Sequence, residues 1–340
     1  MELVVVGKTD IGSVREENQD ALGDVTLDGA VFFTVADGMG GYAGGSLAAR
    51  TAVETLTTHV REHWSKDVDP RRLLRDAIDL ANEKIREKSK EEERLADMGT
   101  TCVCVLAMED HFFVAHVGDS RAYLFRDGVF SLLTEDHTVI QELIKQGKVK
   151  PLEATYHPSA GILMRCLGQI DGVEPDITGP LDLQEGDRIL LCSDGLTGMV
   201  YEDEIADELK SQDLDKALDE MVRMANEAGG FDNITVQVLQ AGTFPVAEAS
   251  GWNVVVDSPE GLALMAAEGR LPQDVLDQGK LRHTTVLDVI REDAARIADE
   301  PTQPMDPPEW DPRKEKRWKF ALTLGVVALL AGGIVYLIMR

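Results

Sequence analysis

The chain has 340 residues, 61 acidic against 34 basic side chains and a formal net charge of −27. A protein this acidic repels phosphodiester backbones, which argues against nucleic acid as a partner. Hydrophobic residues make up 44% of the chain, which is enough for a packed core and excludes general disorder.

Short segments rich in Val, Ile, Phe and Tyr, bounded by Gly or Asp, predict β-strands in the first 240 residues. The predicted strands cover residues 30–36, 100–107, 111–117, 121–125, 188–192 and 234–239. The predicted helices cover residues 46–63, 69–95, 137–147 and 214–228. Asp69 is suited to cap the second helix, with Pro70 at its first position. Tight turns favour hairpins over βαβ units, so the expected fold class is α+β with a largely antiparallel sheet system.

A proline-rich region follows residue 240. Eight of the 13 prolines lie within residues 241–312, which predicts an extended tether. Ser258 would cap a short helix that runs through Ala267, and weak helical periodicity recurs over residues 284–298. A second folded domain is the alternative, but the composition favours a mostly flexible tether with transient helices.

The C-terminal end predicts a membrane anchor. Residues 320–339 carry no charge, and 20 helical residues span about 30 Å of hydrocarbon. Five basic residues precede this segment and only Arg340 follows it, so the positive-inside rule places residues 1–319 in the cytoplasm. The start of the chain lacks a secretory signal. The sequence therefore predicts a body at 1–240, a tether with a basic juxtamembrane segment at 241–319, and a single-pass anchor in the cytoplasmic membrane.

Four cysteines lie in apolar stretches and form no CxxC pair. This arrangement predicts buried, reduced thiols rather than a disulfide framework or a zinc site. The four are Cys102, Cys104, Cys166 and Cys192.

Three apolar strands meet an aspartate at an abrupt end. One strand runs into Asp37, a second runs into Asp194, and Asp232 directly precedes a third. An acidic side chain at the end of a core strand must be solvated, hydrogen-bonded, paired or metal-bound. Few bases lie near these positions, and oxygen donors from separate strands suit Mg²⁺ or Mn²⁺.

A plain turn is the alternative for each of these aspartates taken singly. Asp-Gly is a common turn dipeptide and occurs five times in the chain. The sequence does not show that the three strand-end aspartates converge. The five glycines of DGMGGYAGG, residues 37–45, favour a ligand site, because backbone without side chains can approach a ligand closely.

Six segments carry a resemblance to a known family. They are residues 9–21 (TDIGSVREENQDA), 37–45, 98–101 (MGTT), 118–122 (GDSRA), 193–195 (SDG) and 229–233 (GGFDN). Each is weak alone, but in this order and spacing they resemble the motif series of type 2C (PPM) metal-dependent Ser/Thr protein phosphatases. The likeness spans about residues 5–240 and is nearest to the bacterial-type branch.

The resemblance implies an αββα sandwich of two stacked antiparallel sheets flanked by helices. Two divalent ions, Mn²⁺ or Mg²⁺, would lie between the sheets at one end. By position, Asp37 would bridge both ions and Gly38 would bind through its carbonyl. Asp194 and Asp232 would complete the ligands of one ion, and Asp119 would join Asp194 at a third ion.

The resemblance also implies roles for residues around the metals. Asp20 would hold a metal-bound water, and Arg15 would clamp the substrate phosphate, for which a guanidinium is suited. Without the motifs, Arg15 reads as a surface arginine and Asp119 as a turn residue. The chain departs from many eukaryotic members at Met39, where they have a histidine taken as the general acid, because methionine donates no proton. A metal-bound water or another group must then donate. Candidates by residue type are His116, His137 and His157.

Residues 137–168 match the family's flap segment beside the cleft. Lys145, Lys148 and Lys150 give this flap a local basic patch in an acidic protein. The patch could steer phosphopeptides toward the cleft. The alternative is a solvated helix end that the helix dipole favours.

The implied activity is hydrolysis of phosphoserine and phosphothreonine by a hydroxide that bridges the two metals, in opposition to a Ser/Thr kinase at the membrane. Phosphorylated proteins, including the kinase, are the expected partners. One alternative is an inactive phosphoprotein-binding module, which the full acidic set disfavours. The other is a regulator phosphatase acting on an anti-sigma-antagonist-like protein. The chain has no GxSxG, no Walker loop, no GxGxxG after a strand and no CysX5Arg, which disfavours serine-nucleophile, nucleotide-binding and thiol-phosphatase chemistry.

Overall fold

The computed structural model describes residues 1–270 except 155, 156, 170, 171, 250, 252, 268 and 269. The strands are β1 (Leu3–Asp10), β2 (Asp20–Leu27), β3 (Ala30–Met39), β4 (Gly99–Thr100), β5 (Cys102–Met108), β6 (His111–Val117), β7 (Arg121–Arg126), β8 (Val129–Leu132), β9 (Asp176–Asp182), β10 (Arg188–Cys192), β11 (Ile234–Ala241) and β12 (Val255–Asp257). The helices are α1 (Gly41–His63), α2 (Pro70–Ser89), α3 (Val139–Lys145), α4 (Pro151–Ala154), α5 (Asp194–Thr197), α6 (Glu202–Glu208), α7 (Leu214–Glu227), α8 (Val246–Ala249) and α9 (Pro259–Ala267).

The strands form two sheets. The first has the order β1-β11-β10-β7-β8-β12, and the second has the order β2-β3-β5-β6-β9 with the short β4 paired to β3. Among the described strands, every pairing is antiparallel except that of β12 with β8, which is parallel. The hairpins β2–β3, β5–β6 and β7–β8 confirm the predicted antiparallel architecture.

Apolar side chains fill three layers. Successive side chains of a strand point to opposite faces of its sheet, so strands that are apolar throughout can pack on both faces. Phe33, Val105 and Leu191 lie in the cluster between the two sheets. Helices α1 and α2 cover the outer face of the second sheet, and α5 to α7 cover the outer face of the first. The αββα sandwich is therefore confirmed, and all four cysteines are buried and unpaired as predicted.

Most predicted element ends agree with the structure. The Asp69 side chain accepts a hydrogen bond from the Arg71 N–H at 3.0 Å, with Pro70 as the first residue of α2. Helix α3 ends shortly before Gly147, which has φ of 66°. In contrast, α1 begins at Gly41 rather than at residue 46, because its packing against β3 outweighs the poor helix propensity of glycine.

The chain after residue 240 differs in part from the predicted tether. Helix α9 ends at Ala267 as predicted, and Ser258 caps it by accepting the Gly261 N–H at 2.9 Å. Strand β12, however, extends the first sheet. This segment therefore belongs to the folded body and not to a tether, because Val255, Val256, Leu262, Ala263 and Met265 are buried.

The predicted anchor and most of the predicted tether lie outside the described residues. This applies to the periodic segment 284–298, the basic juxtamembrane segment and residues 320–339. Within the part of the chain that the structure describes, no helix combines the length and apolar character needed to cross a membrane.

Candidate active site

Strand ends from both sheets meet at one end of the sandwich. Asp20, at the start of β2, lies opposite Asp37, near the end of β3. Asp194 follows β10, and Asp232 precedes the neighbouring strand β11. A cavity of about 820 Å³ lies at this end. The predicted strand-end aspartates, remote in sequence, therefore do converge.

Six of the seven predicted site residues line this cavity. They are Arg15, Asp37, Gly38, Asp119, Asp194 and Asp232. The seventh, Asp20, is only 9% exposed and lies behind the lining. The structure thus brings the whole predicted set to one place, with Asp20 in a supporting position.

A cage of hydroxyl groups fixes the backbone of Asp37. The Asp37 N–H donates to Thr101 Oγ1 at 2.9 Å, and the Thr101 N–H donates to the Asp37 carbonyl at 2.8 Å. Thr100 Oγ1 also donates to that carbonyl at 2.9 Å. The Thr101 and Ser120 hydroxyls are 2.7 Å apart. The segments MGTT and GDSRA are therefore physically linked to Asp37.

The glycines after Asp37 are required by close backbone approach. A Cβ atom on Gly38 would lie 2.1 Å from the Gly45 carbonyl oxygen. Gly40 has φ of 116°, a left-handed conformation that side chains disfavour. The DGMGG segment can therefore turn from β3 into α1 beside the cavity.

Asp20 is held by hydrogen bonds from the first sheet. Ser193 Oγ donates to Asp20 Oδ2 at 2.8 Å and accepts the Thr235 N–H at 3.0 Å. Burial raises the pKa of Asp20 to about 7, while the hydrogen bonds from Thr235 and Ser193 oppose this rise. The negative charges of Asp194 and Asp232 raise it further.

The other cavity aspartates share this electrostatic environment. Burial raises the pKa of Asp194 to about 6, and the charge of Asp232 adds to the rise. Burial, followed by the charges of Asp20 and Asp194, raises the pKa of Asp37 well above its usual value. The pKa of Asp119 rises for the same reasons, burial first and then Asp194. Buried carboxylates this close repel one another.

The donor set fits divalent cations. Asp194 Oδ1 and Asp20 Oδ1 are buried and have no hydrogen-bond partner among the residues that the structure describes. Unpartnered buried oxygens are costly unless a cation or a bound water satisfies them. Carboxylate and carbonyl oxygens are the ligands that Mg²⁺ and Mn²⁺ prefer. A bound cation would also remove the mutual repulsion that raises the aspartate pKa values.

Arg15 enters the cavity already paired. Its Nη2 atom lies 2.7 Å from Asp232 Oδ2, and its Nε donates to the Phe231 carbonyl at 3.3 Å. The arginine side chain is 48% exposed, so solvent and an incoming anion can reach it. The predicted phosphate clamp therefore lies at the mouth of the cavity and contacts a predicted metal ligand.

Asn233 fixes the loop that carries Arg15. Its Oδ1 accepts the Gln19 N–H at 2.8 Å. Its Nδ2 donates to the carbonyls of Ile11 and Glu17 at 2.9 and 3.0 Å. From the sequence, no role was assigned to Asn233 beyond its place in the GGFDN segment, and none to Thr101 in MGTT or to Ser193 in SDG.

Met39 and part of the flap complete the lining. Leu163, Met164 and Cys166 line the cavity opposite the strand ends. The Met164 N–H donates to the His137 carbonyl at 2.7 Å, and the His137 N–H donates to the Gly118 carbonyl at 2.9 Å, which attaches the flap to the end of β6. Within the described residues, no histidine lines the cavity. The lysine patch also lies outside the lining, and Lys145 pairs with Glu135.

His116, His137 and Asp176 form a second polar cluster. Their nearest ligand atoms lie within 4.8 Å of one another, and the two imidazoles stack at 4.5 Å. However, the Gly118 N–H donates to His137 Nδ1 at 3.1 Å, which leaves the proton on Nε2, 3.3 Å from Asp176. His116 Nε2 contacts the Glu135 carbonyl at 2.8 Å. The cluster therefore links the start of the flap, at His137, to strands β6 and β9.

Comparison with known proteins agrees with this site. The sequence model of the family described as Protein phosphatase 2C matches residues 12–240. Protein phosphatase PhpP of Streptococcus pneumoniae is 37% identical over 234 residues, which cover 68% of this chain and 94% of the relative.

Solved structures show the same fold. A Streptococcus agalactiae serine/threonine phosphatase has a TM-score of 0.67 at 35% identity, covering 71% of this chain and 100% of its own. The PstP catalytic domain in complex with two manganese ions has a TM-score of 0.63 at 32% identity, covering 71% of this chain and 98% of its own. This chain therefore belongs to the protein phosphatase 2C family of Ser/Thr protein phosphatases.

Proposed function

We propose that this phosphatase hydrolyses phosphoserine and phosphothreonine in proteins with two Mn²⁺ or Mg²⁺ ions held by its cavity aspartates. The observation that carries the proposal is the convergence of Asp37, Asp194 and Asp232 in one cavity, where Asp194 Oδ1 is buried without a hydrogen-bond partner among the described residues. Asp119 lies in the same cavity, and we propose that it and Asp194 hold a third ion.

Each residue then has a defined task. Asp37, Asp194, Asp232 and the Gly38 carbonyl would hold the ions. When bound, the ions would lower the pKa of water and neutralise charge on the phosphate oxygens. Asp20, fixed by Ser193, would orient water in the cavity.

Arg15 would bind the phosphate of the substrate. A guanidinium can form two parallel hydrogen bonds to a phosphoryl group, and Arg15 is positioned for this by the loop that Asn233 ties down. Met39 cannot donate a proton, so the leaving alkoxide would take its proton from cavity water.

The enzyme assay uses the full chain with p-nitrophenyl phosphate and a phosphothreonine peptide, with and without Mn²⁺. Asp37→Ala should abolish metal-dependent turnover. Asp28→Ala is the matched control, because Asp28 also precedes a glycine but lies outside the cavity, with an 85% exposed side chain paired to Lys66. Absence of turnover in the unmodified chain would favour a phosphoprotein-binding module instead. Survival of metal-dependent turnover in Asp37→Ala would contradict the proposed role of Asp37 in holding the ions.

The proposal extends to cellular location and to the opposing enzyme. The uncharged segment 320–339 and the bases before it support a single-pass anchor with the catalytic domain in the cytoplasm, where it would oppose a Ser/Thr kinase. Removal of residues 313–340 should move the protein to the soluble fraction with little change in turnover of p-nitrophenyl phosphate. A truncated protein that still sediments with membranes would contradict the anchor.

A further inference from the structure

The described chain continues beyond the family match as a compact addition to the first sheet. The match ends at residue 240, and the related structures cover 71% of this chain. Strand β12 and helix α9 follow the match. Arg270, after α9, contacts the body through Asp203. We call residues 255–267 together with Arg270 the C-terminal unit.

The C-terminal unit is buried against the body. Val255 and Val256 are 2% and 1% exposed, and Leu262 is fully buried. The Val255 N–H donates to the Gly128 carbonyl at 2.9 Å, next to the parallel pairing of β12 with β8. The unit thereby covers the β8 edge, which would otherwise present unpaired backbone groups.

Polar contacts connect the same unit to α6 and β7. Ser258 Oγ donates to Glu202 Oε2, and Tyr123 Oη donates to Glu202 Oε1 at 2.7 Å. Arg270 Nη1 lies 2.9 Å from Asp203 Oδ2, which belongs to the same helix as Glu202. Helix α9 also contacts α4, within the flap.

These contacts converge on Arg121. The guanidinium binds Asp136 through Nε at 3.0 Å and through Nη2 at 2.7 Å. Its Nη1 faces Glu202 at 3.5 Å and Glu260, from α9, at 3.4 Å. The Arg121 side chain is only 15% exposed, so these acidic partners and not solvent determine its position.

Arg121 lies directly behind the candidate metal ligands. It follows Asp119 by two residues, and in the sheet it is opposite Cys192, which leads into Asp194. The Asp119 carboxylate interacts electrostatically with the negative charge of Asp136 and the positive charge of Arg121. Any displacement of the Arg121 and Asp136 pair would therefore alter the field at the Asp119 end of the cavity.

We propose that the C-terminal unit is part of the catalytic body of this protein and that it holds Arg121, a positioning residue for Asp119 and Asp194. The inference rests on the proposed function, because it concerns the metals bound by those aspartates. Loss of Glu260 leaves the positive charge of Arg121 less neutralised and its side chain less restrained. Both changes disfavour a cation at Asp119.

Two variants of the full chain test this. In Gly261→Val, a Cβ atom would lie 2.1 Å from Val256 Cγ1, so the packing of α9 on β12 must shift. The substitution leaves the amino-acid sequence of residues 1–240 intact. Glu260→Gln removes one charge and keeps the shape of the side chain. Glu248→Gln is the matched control, because Glu248 is an exposed glutamate that also lies after residue 240.

The readouts are the Kd for Mn²⁺ measured by titration calorimetry and the Mn²⁺ concentration that gives half-maximal hydrolysis of p-nitrophenyl phosphate, with thermal unfolding followed in parallel. For Gly261→Val we expect an increase of about fivefold, which corresponds to about 1 kcal/mol of metal-binding free energy. For Glu260→Gln we expect about threefold, because its side chain is 34% exposed and partly screened. Glu248→Gln should match the unmodified chain.

The outcomes separate the inference from the proposed function. An unmodified chain without metal-dependent activity contradicts both. If the unmodified chain is active and both variants keep its half-saturating Mn²⁺ concentration, the inference is wrong, even if their melting temperatures fall, because the unit would then be only structural. If Gly261→Val does not fold, the half-saturating Mn²⁺ concentration of Glu260→Gln alone tests the inference.

Discussion

Thr101 offers a direct test of how the site is built. Its hydroxyl accepts the Asp37 N–H at 2.9 Å and contacts the Ser120 hydroxyl at 2.7 Å, and the residue is 1% exposed. Thr101→Val keeps the branched shape of the side chain but removes the hydroxyl. The Asp37 N–H and the Ser120 hydroxyl then lose a partner in the interior.

The expected cost follows from these contacts. A buried donor without an acceptor costs about 1–3 kcal/mol, so the free energy of unfolding should fall by about 2 kcal/mol. The same change frees the Asp37 backbone to shift. Because a misplacement of about 1 Å can lower a rate by about 10²-fold, we expect kcat/KM to fall by at least about tenfold and the half-saturating Mn²⁺ concentration to rise.

Thr34→Val is the matched control. Thr34 lies on β3, the strand that also carries Asp37, is fully buried, and its hydroxyl donates to the Val103 carbonyl at 2.9 Å. Its loss removes one hydrogen bond, worth about 1 kcal/mol, at a distance from the cavity. Urea unfolding should therefore detect both variants, whereas the Mn²⁺ titration of phosphatase activity should detect only Thr101→Val.

Two results would contradict this prediction. One is equal activity of the two variants once each is corrected for its folded fraction. The other is a Thr101→Val protein that is as stable as the unmodified chain. The first result would mean that the hydroxyl cage does not control the position of Asp37. The second would mean that water replaces the lost hydroxyl without cost.

Three further predictions concern metal, pH and phosphate. Mn²⁺ at about 100 times its Kd should raise the free energy of unfolding by about 2.7 kcal/mol, and Asp194→Asn should remove most of this gain; equal melting temperatures with Mn²⁺ and with EDTA would contradict the metal site. Burial lowers the pKa of His137 to about 4, so as pH falls below about 6.5 the unfolded state takes up the proton first. The free energy of unfolding should therefore fall by about 2 kcal/mol between pH 7 and pH 5, as the stability that neutral His137 contributes is lost. Urea unfolding of His137→Gln should show a flatter pH dependence than the unmodified chain. The same pH dependence in both proteins would contradict a role for His137. Arg15→Lys keeps the charge but loses bidentate geometry, so steady-state kinetics on a phosphopeptide should show a higher KM with a smaller change in kcat, and an unchanged KM would exclude Arg15 from phosphate binding.

Sequence patterns predicted the interior strands better than the outer ones. Strands β5, β6 and β10 are almost entirely buried and read as continuous apolar runs. Strand β9 (DITGPLD) and strand β2 (DALGDVTL) have many partly exposed residues and contain Gly, Asp or Pro. Their pairing depends on neighbours that are distant in sequence, so local propensity could not identify them.

The residues of the site were also predicted unevenly. The motif series identified the seven residues that the structure gathers at one end of the sandwich. The supporting side chains could not be assigned roles, because Thr101 and Asn233 act on backbone groups of remote segments. Helix α9 of the C-terminal unit was predicted, but strand β12 was missed for a related reason. This three-residue strand has no periodicity to detect, and its pairing with β8 joins segments more than 120 residues apart.

The chemistry of the supporting groups explains how the site keeps its charge. Thr101 holds the backbone of Asp37, and Ser193 holds the carboxylate of Asp20, and both supporting side chains are uncharged. Salt bridges to the Asp37 and Asp20 carboxylates would instead cancel the negative field that attracts a divalent cation. Among the described residues, the cation that pairs directly with a cavity aspartate is Arg15, and it is half exposed and able to exchange its partner for a phosphate. Raised aspartate pKa values and buried oxygens without partners among the described residues are unfavourable in the metal-free protein. The same features favour the binding of a divalent cation, which would relieve both.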